Sequence, residues 1–158
     1  MATQREKYHL AMSGEFFVAA QLQRLGVSAS VTYGNAKSAD VIAFRADSDR
    51  VVVVEVKTTR QPQWVVGGRV PDKSNKPWVF VYMPEDVDQP PSFYVLTQTE
   101  LRKILEPIES QYFERYRARH GVEYGDRTGV VNIRRALIEK HKDKWDVILK
   151  QISSTKLT

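Results

Sequence analysis

Glu55 and Lys57 are the first residues on which a chemical argument can be built. They stand two apart in V-V-V-V-E-V-K-T-T, residues 51–59, a β-branched apolar run bounded by Asp49-Arg50 and by Arg60-Gln61-Pro62. Such a run reads as a central strand with both faces covered. Side chains alternate along a strand, so Val52, Val54 and Val56 share one face while Val51, Val53, Glu55 and Lys57 share the other. At about 3.3 Å per residue, the acid and the ammonium start roughly 7 Å apart on the backbone. Burying a carboxylate there is costly unless something pairs with it or it coordinates a cation.

Two further acids are brought towards this pair. Asp40 opens D-V-I-A-F, a short strand over 40–44, and residues 46–50 turn the chain straight back into the valine strand. So short a connection makes the two strands antiparallel neighbours, with Asp40 beside the end that carries Glu55 and Lys57. The competing reading of Asp40 is a common turn residue before a strand. Glu15 lies in a helical segment over 8–25 that stops at Gly26, with Ser13 as a candidate cap. Val18, Ala19 and Leu22 follow it at i+3, i+4 and i+7, which sets Glu15 on the core-facing stripe. Taken alone, Glu15 is more plainly read as a first-turn acid favoured by the helix dipole. Three hard oxygen ligands beside a lysine suit Mg²⁺, with Mn²⁺ able to substitute. The lysine can position an attacking water or stabilise charge on a phosphate. These are the parts for phosphodiester hydrolysis.

The remaining elements supply a scaffold. Residues 27–33 read as a weak strand ending at the turn Gly34-Asn35, and 60–77 as a loop or hairpin with Trp64, Gly67-Gly68 and Pro71. Strong strands follow at 78–83 and 93–96 around a proline-rich acidic connection. Thr97 with Glu100 is a capping box opening a helix through Leu101, Ile104, Leu105, Ile108 and Tyr112, in which Pro107 kinks the helix or starts a second one. Residues 112–120 interleave Tyr112, Phe113 and Tyr116 with Arg115, Arg117 and Arg119, a composition suited to bases and phosphates. The plainer reading is an amphipathic helix with a solvated basic face. A loop over 121–129, a short strand at 130–133 and a short helix at 134–141 come next. Trp145, Ile148, Leu149 and Ile152 form a last amphipathic stripe that docks on the sheet or serves a homodimer.

Composition sets wider bounds. The 158 residues suit one domain, and the net charge of +5 is concentrated after residue 97, where 13 Lys+Arg face 9 Asp+Glu, so a polyanionic partner is favoured modestly. The absence of cysteine excludes disulfides, thiol nucleophiles and thiolate zinc sites. No apolar run approaches the roughly 20 residues of a membrane span, and residues 1–9 lack a signal-peptide pattern, so the expected location is the cytoplasm. His9, His120 and His141 show no paired metal-binding spacing, and no nucleophile elbow or phosphate-binding glycine loop occurs.

At Gly14-Glu15, at Ser38-Ala39-Asp40 and at Glu55-Val56-Lys57 followed by Thr58-Thr59, the sequence resembles the PD-(D/E)XK nuclease superfamily, the restriction-endonuclease-like fold. Within it the pattern is most similar to archaeal Holliday-junction resolvases, Mrr-type enzymes and small uncharacterised bacterial nucleases. Ala39 replaces the proline of the motif, and the helix that usually follows the acid-x-lysine strand is replaced by the irregular 60–77 segment. The resemblance implies that Asp40, Glu55 and the Val56 carbonyl bind the metal, that Lys57 acts on the water and that Glu15 completes the site. It also implies 5′-phosphate products and places Gln61 where some members carry an extra polar residue.

The expectation is therefore a single α/β domain: a central mixed β-sheet flanked by helices, with a core of αβββ-αβ type over about 8–105 and a helical C-terminal extension over about 106–158. Its expected activity is Mg²⁺-dependent hydrolysis of DNA, with Arg60, Gln61, Arg115 and Arg119 on the substrate. The alternatives are a catalytically inactive nuclease-fold module that binds nucleic acid or a protein in defence or counter-defence, and an RNA-directed nuclease.

Overall fold

In the computed structural model, residues 1–33 and 39–153 are described, so the turn expected at Gly34-Asn35, and Ser38 of the motif, lie outside the described residues. In chain order the elements are α1 (Gln4–Arg24), β1 (Ser28–Val31), β2 (Val41–Phe44), β3 (Val51–Thr59), β4 (Gln63–Gly67), β5 (Pro77–Tyr82), β6 (Ser92–Thr97), α2 (Gln98–His120), β7 (Val131–Arg134) and α3 (Asp146–Ile152), with two 3₁₀ turns before α3. Five strands make one mixed sheet in the order β1-β2-β3-β5-β6, in which only the β3–β5 pair is parallel. The valine strand is thus the central one. Strands β4 and β7 form a separate antiparallel ribbon.

Each face of the sheet has its own core. Val18 and Leu22 of α1 and Trp145, Ile148 and Ile152 around α3 pack on Val41, Val54, Val56, Val79 and Val95. The last apolar stripe is therefore buried within this chain, and it is not the surface through which a second copy would dock. On the opposite face the ribbon and α2 cover β5 and β6 with Trp64, Val66, Ile133, Leu101 and Leu105. Trp64 ties the ribbon down, its indole N–H donating to the Val81 carbonyl at 2.9 Å and its ring meeting Phe80 and Tyr94 edge-on. This second cover does not extend over β3. Val51 is exposed and Val53, Glu55 and Lys57 are only half-buried, so the strand expected to be covered on both faces is covered on one. The open half-face is where its charged pair lies.

Other differences have local causes. Helix α1 starts at Thr3, whose hydroxyl accepts from the Glu6 N–H in a capping box. Ser13 instead donates to Leu10 O within the helix, which leaves Glu15 three turns from the N-terminus and removes the dipole reading. Residues 60–77 are no hairpin: β4 pairs with β7, Gln63 opposite Arg134, a partner too distant in sequence to leave a local signal. Helix α2 runs unbroken past Pro107 and closes at Gly121, which adopts φ 69°. The expected short helix near 134–141 is the two 3₁₀ turns. No helix among the described residues is long and apolar enough to cross a membrane.

Candidate active site

The β2–β3 ladder sets the site. Val41 lies opposite Val54, so one further step of the register places Asp40 opposite Glu55, on the face that also carries Lys57. Asp40 is held by four bonds: its N–H donates to Val54 O at 3.2 Å, its carbonyl accepts from Thr32 N at 3.0 Å and from the Thr32 hydroxyl at 3.3 Å, and its Oδ2 accepts from Val56 N at 2.8 Å. The N–H and C=O of a strand residue point to the same side. Because Val56 N–H points at Asp40, its carbonyl faces the same way, past the end of the β2 ladder.

Glu55 is paired at both oxygens. Lys57 Nζ lies 3.0 Å from Oε1, and Lys76 Nζ lies 2.8 Å from Oε2, with Glu55 only 17% exposed. Lys57 also stands 5.7 Å from the centre of the Trp78 ring. Lys76 escaped the sequence reading. It precedes β5, and β5 is the parallel neighbour of β3 with Trp78 opposite Glu55. The only local cue was a lysine two residues before a strong strand.

Glu15 joins from α1 by a close helix–sheet approach. A Cβ on its neighbour Gly14 would sit 1.8 Å from Thr58 Oγ1, so only glycine permits this spacing. Burial, then the charges of Asp40 and Glu55, push the Glu15 carboxyl up to about 7 against the pull of Lys57. Burial also raises Asp40, opposed by the Val56 N–H. At Glu55 burial acts upward but is outweighed by hydrogen bonds from Lys76 and Lys57, which hold the carboxyl below its ordinary value. With all three carboxylates ionised, above about pH 7, the corner carries more negative charge than its two ammonium groups offset. As they stand, no three acidic, histidine or cysteine side chains among the described residues are grouped so as to hold a metal ion, and both oxygens of Glu55 are taken by lysines.

Of the expected substrate residues, Gln61 lines a hollow of about 300 Å³ together with Lys57, Thr59, Gln63 and Asn132. Arg60 is exposed near Glu6 at the start of α1. Arg115 and Arg119 are exposed on the last turns of α2, and no contact joins them to the acid–lysine corner.

This arrangement, a first helix and three antiparallel strands leading to a parallel partner strand, has a solved counterpart. The chain is similar to the bacterial homing endonuclease I-Ssp6803I, with 16% identity and a TM-score of 0.53 over 99% of this chain and 100% of that one. The chain has a restriction-endonuclease-like fold. Hjc, a Holliday junction resolvase from the archaeal hyperthermophile Archaeoglobus fulgidus, is similar over 87% of this chain and 93% of its own, at 9% identity and a TM-score of 0.47. No family model and no curated protein matches the sequence. In the restriction-endonuclease-like fold of this chain, then, Asp40, Glu55 and Lys57 share one sheet face and Glu15 reaches them from the helix beside it.

Proposed function

We propose that the chain is a metal-dependent nuclease that hydrolyses DNA phosphodiester bonds. The observation that carries this reading is the convergence of Glu15, Asp40 and Glu55 with Lys57 at one half-open corner of the sheet, where burial first, and then the charges of Asp40 and Glu55, raise Glu15 to about 7. Asp40, Glu55, the Val56 carbonyl and Glu15 would hold Mg²⁺, or Mn²⁺ in its place. When bound, the cation lowers the pKa of a water and offsets charge on the phosphate. Lys57, released from Glu55, would orient that water and then face the developing phosphate charge. Lys76 would keep Glu55 ionised and in place. Water oxygen bonds to phosphorus as the bond to the 3′ oxygen breaks, leaving a 3′-hydroxyl and a 5′-phosphate.

The test is cleavage of single-stranded, duplex and branched DNA, and of RNA, with Mg²⁺ or Mn²⁺. Wild-type cleavage that is lost in both Glu55→Ala and Lys57→Ala supports the site; cleavage persisting in both removes it. One observation favours a second reading, a binding module without catalysis: both oxygens of Glu55 are already paired with lysines. Calorimetry showing no uptake of Mg²⁺ or Mn²⁺, with DNA binding intact, would select it.

A further inference from the structure

Beside the corner lies a second hollow with different chemistry. It encloses about 440 Å³ between α2, the ribbon and the 121–130 loop, and its walls include Tyr112, Phe113, Tyr124, Arg69, Ile108 and Asn132. Tyr124 stacks on Phe113 at 4.8 Å and meets Tyr112 edge-on at 5.5 Å. Arg69 lays its guanidinium over Phe113 at 4.9 Å. Tyr112 nevertheless remains 53% exposed, and Ile108 and Val130 are exposed beside it. An open tyrosine ring between two exposed aliphatic side chains, beside the half-buried Phe113 and Tyr124, marks a place for a partner.

The hollow is also held in shape. Arg69 Nη1 donates to the carbonyls of Gly125 at 3.0 Å and Arg127 at 3.3 Å, fixing the loop, and Glu109 Oε2 accepts from Val70 N at 3.1 Å, fixing the strand end to α2. Asn132 borders this hollow and also the one that contains Lys57 and Gln61, so the two lie on either side of one residue. Tyr112, Arg115 and Arg119 stand at i, i+3 and i+7, one stripe of α2. The stripe continues the aromatic wall into exposed guanidinium groups of the kind that meet phosphates.

We propose that this aromatic hollow is a nucleobase subsite, which takes an unstacked base of a nucleic-acid strand whose backbone lies along Arg115 and Arg119. Planar π-faces accept any base by stacking, and the arginines add charge and cation–π attraction without reading sequence. The inference rests on the nuclease reading for its choice of nucleic acid over another planar ligand. It extends that reading by favouring a substrate with unpaired or extruded bases over an intact duplex.

The experiment uses the full chain in EDTA, a single-stranded oligodeoxynucleotide carrying one 2-aminopurine, and the same sequence as a duplex. The expected result is that wild type binds the single strand and quenches its fluorescence. Tyr112→Ala should bind the single strand about tenfold more weakly with the quench reduced, Tyr112→Phe should behave as wild type, and duplex binding should change less than twofold. Wild type that fails to bind the single strand, or Tyr112→Ala that binds and quenches as wild type does, overturns the subsite. So does an equal loss on single strand and duplex. Cleavage assays with Mg²⁺ on wild type and Lys57→Ala are run in parallel. A Tyr112 effect without any wild-type cleavage retains the subsite and ends the nuclease reading; Lys57-dependent cleavage without a Tyr112 effect does the reverse.

Discussion

The acid–lysine corner and the aromatic hollow meet at Asn132 yet are built on opposite principles. The corner is made of half-buried charges whose places are dictated by a strand ladder: Asp40 by four hydrogen bonds, Glu55 by two ammonium groups. The hollow is made of neutral rings on a helix flank and a loop, Tyr112 open to solvent and Phe113 and Tyr124 half-buried, with the loop held by arginine bonds to its carbonyls. Charges in the corner act through fields that a single substitution unbalances. Contacts in the hollow are many and weak, so they are graded. The corner should therefore respond to changes of charge and the hollow to changes of shape.

The sharpest division is expected in activity. Lys57→Ala should lower the cleavage rate by about a thousandfold, in the range seen when one stabilising or proton-handling group is removed, whereas Tyr112→Ala should leave cleavage of duplex DNA within twofold. Circular dichroism should show both variants folded, and equal losses in the two would erase the division. Next comes stability. Leu22 is fully buried under α1, and Leu22→Ala should cost about 3 kcal/mol in urea melts. Tyr112→Ala should cost less than about 1 kcal/mol because half of that ring already meets water.

A smaller effect follows from Glu15. Its folded value near 7 lies above the ordinary 4.5, so the folded state binds this proton more tightly. That contribution is complete below about 4.5 and is lost as pH rises through 7. In EDTA the protein should therefore lose stability between pH 5 and pH 8, by about 1–2 kcal/mol once solvent screening of a half-buried group is allowed for. Glu15→Gln should flatten that slope, and an unchanged slope would detach Glu15 from the corner. The smallest effect is expected at the exposed end of α2: Arg117 pairs with Glu123 at 3.2 Å with both side chains largely in water. Arg117→Ala should change stability by less than about 0.5 kcal/mol in the same melts.

What the sequence made legible follows the same division. The valine strand could be read because a period of two leaves no choice about which residues share a face, and Asp40 could be placed because only a short turn separates its strand from the next. Capping at Thr97 was equally local, and the box with Glu100 is present. Lys76 could not be foreseen beside Glu55, since it arrives on a parallel strand after the chain has left the sheet to form β4. That β4 exists at all depends on β7, more than 60 residues later, so neither strand announces itself. The early start of α1 was hidden because its first two turns are mostly polar and show no apolar stripe. Composition alone marks Arg115 and Arg119 as substrate contacts. Their side of α2 became meaningful only with the hollow beside it.

Gly14 gives the corner a mechanical setting as well as an electrostatic one. Its missing side chain lets α1 settle against β3 so tightly that the Thr58 hydroxyl is buried with no hydrogen-bond partner among the described residues. The width of that seam works as a gauge. A single methyl group there must push helix and strand apart, and the residue carried outward with the helix is Glu15. Gly14→Ala would thus retune the corner without altering one charge, by loosening the clearance to which its third acid is set.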